Sequence, residues 1–538
     1  MYRSSALSST PLFQIDSTSL SWKDRIALSY DRAKAIAALY GLNANDVLTA
    51  SPKYWEYLRD PIQVLDGAAA TLLTIHFNLC IGTIATFPAG KEHILKQLVS
   101  FEISGQFCLT EVGHGLDAFH LETTATLLDT GELEINTPSE AAAKFMPPTT
   151  PSGLPCVSVV FARLLVDGQD KGVKPILVPI HDGRKMYPGI TSKVLSPRGG
   201  SGPVEHALTY FRHVRVPCTS VLGSMDEPVD LKSAFWHNIF RVVVGMLGMG
   251  TLALSMMSIA SYIASKYSMR RIVVDSFTEQ PKAIMAFSTQ KIPVLTAISQ
   301  TLVMKAFSTK IESLFATADV AIQKHFIAAV WKVTIVPHAV STLSTLGDRC
   351  GAQGLYEVNQ ISMMHADVRG ASIAEGDTLG VSIRFAIELI LGRVTPPPQT
   401  DTDHILSVHE NSLLAELRRI VKESKNHRSN AIESLILPRC QELIQAVGHR
   451  MAVDAAKENG VDPLAIDLYV ASVVKQDGAW YSEHTHLTQA AQRKMERDAV
   501  DALYPKLESL LDELGVEDYV TAPIVSDTRW MSHLESDA

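Results

Sequence analysis

A β-textured stretch lies inside a chain that otherwise reads as helix, and this order restricts the fold more than any other feature. Between about Gly105 and Ser224, apolar runs alternate with turn signals. Val157 to Val166 is β-branched and apolar, and Asp167-Gly168 follows as a turn. Val173 to Ile180 reads as the next strand and Asp182-Gly183 as another turn. Phe211, Val214 and Val216 are expected in one further strand ending at Pro217. From Trp22 to Ser104 the spacing is helical, with Gly67 to Ile75 as a core helix, and helical spacing returns from Leu231 to Arg393. Three prolines and polar residues in Val394 to Asp403 cannot continue a helix, so this segment reads as a linker. Beyond it, Ile432, Leu435, Ile436, Leu443, Ile444 and Val447 recur at helical spacing. The expected organisation is an amino-terminal helical domain (1–104), a β domain (105–224), a helical bundle (225–393), a linker (394–404) and a carboxyl-terminal helical domain (405–538). That is a mainly helical α+β fold around a small barrel or sandwich. Architecture alone names no function.

Composition removes several classes. Apolar residues make up 46% and charged residues 20% of the 538, which fits a chain with a sizeable core and argues against disorder. Net charge is −9 and no long basic run occurs, so nucleic acid is not an expected partner. The six cysteines are scattered with no CxxC pair, which favours a reducing compartment and argues against a zinc site. Met1 to Gln14 shows no secretory pattern, and the final Glu-Ser-Asp-Ala is not Ser-Lys-Leu. Val242 to Ser265 carries no charge and is long enough to span a bilayer. Taken as the only such run, and rich in Gly, Ser, Ala and Met, it is expected as a buried bundle helix rather than a membrane span.

Four segments carry chemistry. The first is Phe107-Cys-Leu-Thr-Glu-Val-Gly-His-Gly-Leu-Asp117, followed by Leu121-Glu-Thr-Thr-Ala-Thr126. Its glycines allow close backbone approach to a bulky ligand, and Thr110 offers a neutral hydrogen-bonding group. Read alone, the same residues make a strand-to-loop turn. The second is Gly351-Ala-Gln-Gly354, which alone is an ordinary helix C-cap. The third is Ala374-Glu-Gly-Asp377, and an isolated glutamate there is normally a solvated turn residue. The fourth is Lys266-Tyr-Ser-Met-Arg-Arg271, with Gln290 in Phe287-Ser-Thr-Gln; their plain reading is exposed helix.

In that order the four resemble the acyl-CoA oxidase family of the acyl-CoA dehydrogenase superfamily. The first segment is similar to the family's Thr-Glu-x-Gly-His-Gly and Leu-Glu-Thr-Thr-Ala-Thr motifs. The resemblance implies an acyl-CoA dehydrogenase-like fold, and Pro463 to Tyr469 with Ala522 to Val525 resemble the extra carboxyl-terminal helices of the oxidases. It implies a homodimer that binds FAD and desaturates an acyl-CoA at Cα–Cβ, passing electrons to O2 to give H2O2. Glu375 is implied as the catalytic base. Leu109, Thr110, Gly115, Met146, Pro148, Arg271, Gln290, Gly351, Gly354 and Asp377 are implied around the cofactor, with Arg271 reaching a phosphate across the dimer. Family habit implies a peroxisome, while the terminus leaves the cytoplasm open. A dehydrogenase with another electron acceptor, and a non-catalytic thioester-binding protein of the same fold, are the alternatives.

The chain departs from the family at one surface. Lys144-Phe-Met-Pro-Pro148 stands where the family has Lys-Trp-Trp-Pro-Gly. Met146 replaces an aromatic residue, Pro148 removes a backbone N–H, and Leu116 stands where many relatives have a hydroxyl residue. Ala352 and Leu355 depart from the glycine run, and Val273 replaces a glutamine. An unusual acyl substrate is the expectation.

Overall fold

A computed structural model describes residues 2–424 and 429–536. Met1, Asp537 and Ala538, on which the readings of the two termini partly rest, lie outside the described residues. The chain is a mainly helical α+β protein that divides into two compact units. One is Thr10–Gly248; the other is Met1–Ser9 with Met249–Ala538.

In the Thr10–Gly248 unit the first long helix is Trp22–Tyr40. Ser21 caps it by accepting from the Asp24 N–H, and Gly41 ends it in the left-handed conformation. Its buried face carries Arg32, which pairs with Asp66 at 3.1 Å. Asp66 also accepts from the Ala69 N–H and so starts the helix Gly67–Leu73. The expected core helix runs further than its pattern showed: a π-helix, Thr74–Ile81, and a last α-turn, Gly82–Thr86, continue it. His76 in the π-segment accepts from the Gly105 N–H and places Nε2 on the Leu98 carbonyl. Burial pulls its pKa down to about 4, so the ring is a neutral strut between helix and sheet.

Nine strands follow: β1 (Ser104–Cys108), β2 (Thr124–Leu127), β3 (Glu132–Asn136), β4 (Lys144–Phe145), β5 (Cys156–Val166), β6 (Gln169–His181), β7 (Ile190–Val194), β8 (Ala207–Phe211) and β9 (Val214–Pro217). The hairpin β5–β6 is the expected one, with Asp167 and Gly168 both at positive φ as a type I′ turn requires. β5 pairs in parallel with β1 along residues 156–160 and with β2 along 163–165, so one long strand organises the sheet. The order is β1-β5-β2-β3-β9 with β6 also on β5, and a second sheet runs β4-β8-β7. Ala125, Leu133, Val160, Ile176, Ile190 and Phe211 share one core between the two sheets. The strand expected over Phe211–Pro217 is two strands instead. His213 takes a positive φ, the chain turns, and β8 and β9 join different sheets.

In the other unit, helices Ser288–Thr317, Ala321–Arg349 and Cys440–Glu458 pack on one another. Helix Arg241–Arg270 is the one expected at Val242–Ser265. Its small residues have the expected packing use: a Cβ on Gly250 would overlap the Trp331 indole. Its buried Ser258 and Ser265 hydroxyls donate to carbonyls four residues back. It is not the only apolar run of membrane-spanning length. Among the described residues Gly67–Thr86 and Ala321–Arg349 also qualify by length and composition, and 78–83% of the three apolar windows is buried inside the protein. Gly67–Thr86 is one continuous helical run of 20 residues, longer than the Gly67–Ile75 core helix expected from its pattern. No helix or strand lies between Ile390 and Ile405, where the three prolines fall.

Candidate active site

In the Thr10–Gly248 unit the first motif leaves the end of β1. Glu111 is buried and is the hub of the segment. It accepts from the Glu122 N–H (2.7 Å), the Thr123 N–H (2.9 Å), the Thr123 hydroxyl (2.6 Å) and the Lys144 ammonium (2.8 Å). Burial pushes its carboxyl up, but Lys144 and these donors outweigh it and hold the pKa below the usual carboxylate range. Lys144 also donates to the Phe161 carbonyl (2.7 Å) and the Leu109 carbonyl (3.4 Å). One ion pair, inaccessible to solvent on both sides, therefore ties the motif, the strand β4 and the start of β2 together. The motifs contain both residues without revealing this role; the signal in the sequence is an acid in one motif and a base in the other.

The expected cofactor residues of this unit lie on that frame. Leu109 and Thr110 are half-buried. The Thr110 carbonyl accepts from the Phe145 N–H at 2.9 Å, while its hydroxyl makes no hydrogen bond among the described residues. Gly113 is pinned against Ala141, whereas the space over Gly115 is open, and Leu116 beside it is 86% exposed. Met146 adopts a positive φ of 75°. Its N–H donates to the Ala207 carbonyl, and its own carbonyl takes His206 Nδ1 at 2.7 Å. Burial, helped by Arg198, lowers the His206 pKa to about 4. Met146 and Phe145 line a cavity of about 440 Å³ with Trp22 and His206. Pro148 is buried and lines a neighbouring one of about 530 Å³, which Trp22 also lines. The two departures from the family pattern thus each face a cavity.

In the Met249–Ala538 unit, Arg271 follows the end of helix Arg241–Arg270 and is exposed. Its guanidinium makes no ion pair among the described residues. Gln290 is buried rather than exposed, and its amide donates to Ser268 (2.8 Å) and to the Arg349 carbonyl (2.9 Å). It fastens three helix ends together. Gly351, at φ 59°, ends helix Ala321–Arg349, and the space over it is open. Gly354 is required by packing, because a Cβ there would overlap the Gly347 carbonyl. Arg271, Gln290, Gly351 and Gly354 therefore belong to one end of that helix.

Glu375 and Asp377 are attached elsewhere on it. They form the turn between helices Ile361–Ile373 and Thr378–Ile390. Asp377 caps the second helix, accepting from Leu379 and Gly380 N–H groups at 3.0 Å. Glu375 is half-buried at φ 57°, followed by Gly376 at φ 90°. A left-handed non-glycine residue costs roughly 1–2 kcal/mol. Beneath the turn Lys332, wholly buried, donates to the Ala374 carbonyl and to the Gly376 carbonyl at 2.6 Å. Lys332 sits roughly five turns before Gly351. Sequence reading passed over it, although it is the only Asp, Glu, Lys or Arg between Lys324 and Asp348.

Residues 241–388 match the family model of the acyl-CoA oxidase C-alpha1 domain. Among curated proteins the chain is similar to acyl-coenzyme A oxidase acox-3 of Caenorhabditis elegans, 23% identical over 72% of this chain and 62% of that protein. It is 24% identical to peroxisomal acyl-coenzyme A oxidase 3 of Homo sapiens, over 69% of this chain and 57% of that one. It thus spans less than two thirds of either relative's length. Among solved structures, acyl-CoA oxidase 3 of Yarrowia lipolytica superposes with a TM-score of 0.85 at 18% identity, covering 99% of this chain and 88% of that one. Acyl-CoA oxidase-1 of Caenorhabditis elegans, complexed with FAD and ATP, gives 0.81 at 16%, covering 99% and 89%. The fold is therefore the acyl-CoA dehydrogenase-like fold in its oxidase form. Residues 241–388 thus resemble the acyl-CoA oxidase C-alpha1 domain, and the curated proteins and solved structures named here, to which the chain is similar, are acyl-CoA oxidases.

Proposed function

We propose that this protein is an FAD-dependent oxidase of acyl-CoA thioesters, with Glu375 as the base that removes the α-proton. The observation that carries the reading is the Glu375 turn. A half-buried carboxylate stands on a backbone held in an uncommon conformation, at the position where the family resemblance puts the base.

The residues fit a flavin nucleotide on several counts. The Thr110 hydroxyl is uncommitted, the faces of Gly115 and Gly351 are open, and Arg271 presents an unpaired guanidinium. In this reading Leu109, Thr110, Gly115 and Met146 of the Thr10–Gly248 unit would meet a flavin ring, and Arg271 with Gly351 of the Met249–Ala538 unit would hold a cofactor phosphate across the dimer, as the resemblance implies. Gln290, Gly354 and Asp377 are engaged internally and would shape the site from behind. Pro148 can donate no N–H, so it acts by shape alone. Bound FAD would accept two electrons and the β-hydrogen and deliver the electrons to O2, releasing H2O2. In this reading Glu375 takes the α-proton onto a carboxylate oxygen. Exposed Ile272, Val274 and Phe277 on the hairpin beside Arg271 support a homodimer interface. The cavities at Met146 and Pro148 support an acyl group of unusual shape. The human relative's name supports a peroxisomal location.

The test is anaerobic flavin reduction across a panel of acyl thioesters, with peroxide assayed in air. Glu375→Gln is expected to slow reduction by about 10²–10⁴-fold. Reduction at the wild-type rate would remove the base assignment, and no peroxide in air would favour a dehydrogenase.

A further inference from the structure

Lys332 is a buried cation without an obvious structural need for charge. It lies inside helix Ala321–Arg349, among Val330, Trp331, Val333 and Ile335, all fully buried. Desolvating an ammonium costs several kcal/mol unless its surroundings offset it. Its hydrogen-bond partners are two neutral carbonyls, Ala374 and Gly376, which a neutral donor would satisfy as well. The charged groups acting on it are Glu375 and Asp377, both on the same turn. Asp377 already spends its carboxylate on the cap of helix Thr378–Ile390. The two tethered carbonyls flank Glu375 on either side, and Glu375 is the left-handed residue between them.

We infer that Lys332 is a positioning residue for Glu375: it pins the backbone on both sides of the base and sets a positive charge beneath it. This rests on the reading of Glu375 as base. The tether holds the left-handed backbone, so the carboxylate need not search for its direction. A positive charge beside a carboxylate favours its ionised form. Burial is also what pulls the lysine's own pKa down to about 8, against the opposing effect of Glu375 and Asp377.

The experiment compares Lys332→Met, Lys332→Gln and Glu375→Gln in the full FAD-loaded chain. Flavin reduction is followed anaerobically against pH, using the acyl-CoA that reduces the wild-type flavin fastest. Hydrogen–deuterium exchange of residues 374–378 is measured without substrate. Lys332→Met is expected to slow reduction by about 10²-fold at saturating substrate, since small misplacement of a reacting group has that effect. Its acid limb should move to higher pH, and exchange in the turn should quicken. Lys332→Gln keeps a donor without the charge, so it should retain part of the exchange protection yet shift the acid limb in the same way. Wild-type rate and pH profile in both lysine variants, with Glu375→Gln impaired, would overturn this inference alone. If Lys332→Met does not fold, an unmoved acid limb in Lys332→Gln overturns it. Wild-type reduction by Glu375→Gln would instead bring down the base assignment, and the inference with it.

Discussion

Removing the Lys144 ammonium should cost the Thr10–Gly248 unit far more than an ordinary surface charge. Lys144→Met leaves Glu111 ionised, wholly enclosed and without its cation. Breaking a buried pair from one side costs about 3–5 kcal/mol, because the remaining charge stays desolvated. The Glu122 and Thr123 donors remain, which places the expected loss at the lower end, about 3 kcal/mol. For a unit of this size about 2–4 °C of Tm accompanies each kcal/mol, so a fall of about 6–12 °C is expected by calorimetry. Glu111→Gln combined with Lys144→Met removes both charges and should recover part of it. Acid should act through the same pair. The Glu111 pKa is depressed on folding, so its stabilisation is complete above the ordinary carboxylate pKa and is lost as pH falls through the folded value. The Lys144→Met loss should therefore shrink in acid, where Glu111 is protonated. A single variant within about 2 °C of wild type near neutral pH, or a double variant worse than the single, would refute the reasoning.

Three further outcomes follow from the same geometry. Gly354→Ala should destabilise the Met249–Ala538 unit by about 1–3 kcal/mol in urea titration, because the new Cβ has to displace the Gly347 carbonyl. Asp377→Ala should cost about 1 kcal/mol in the same titration through the lost cap on helix Thr378–Ile390. Arg271→Met should leave the melting temperature of the flavin-free protein unchanged, since the side chain is exposed. It should weaken FAD binding by about 10–100-fold, the worth of one charge-assisted hydrogen bond, measured by flavin fluorescence.

The residues proposed for the chemistry can be picked out from the sequence because they lie in short, ordered motifs. Thr110, Gly115, Gly351 and Glu375 were picked out as residues in a sequence order, and the structure puts each on a turn at the end of a helix or strand. The β5–β6 hairpin was legible for a local reason: Asp167-Gly168 suits the one turn whose two residues both need positive φ. The splitting of Phe211–Pro217 was not, because the choice between two sheets depends on partners far away in the chain. Gln290 is implied as a cofactor contact by resemblance and would be an exposed helix residue on spacing alone; it is buried, since helical spacing says nothing about which other helix ends converge on it.

By itself the sequence determined the alternation of helical and β segments, the motif order and the identity of the acid at position 375. These are local properties, set by side-chain periodicity and by residue types that only certain turns accept. Only the tertiary structure decided what surrounds them. Lys144 and Lys332 are lone cations in apolar stretches, and a linear chain gives no partner for either. Folding brings one to Glu111 and the other beneath Glu375. The reason is electrostatic: a charge can stay buried only where distant segments supply the groups that offset it, and those segments meet only in three dimensions.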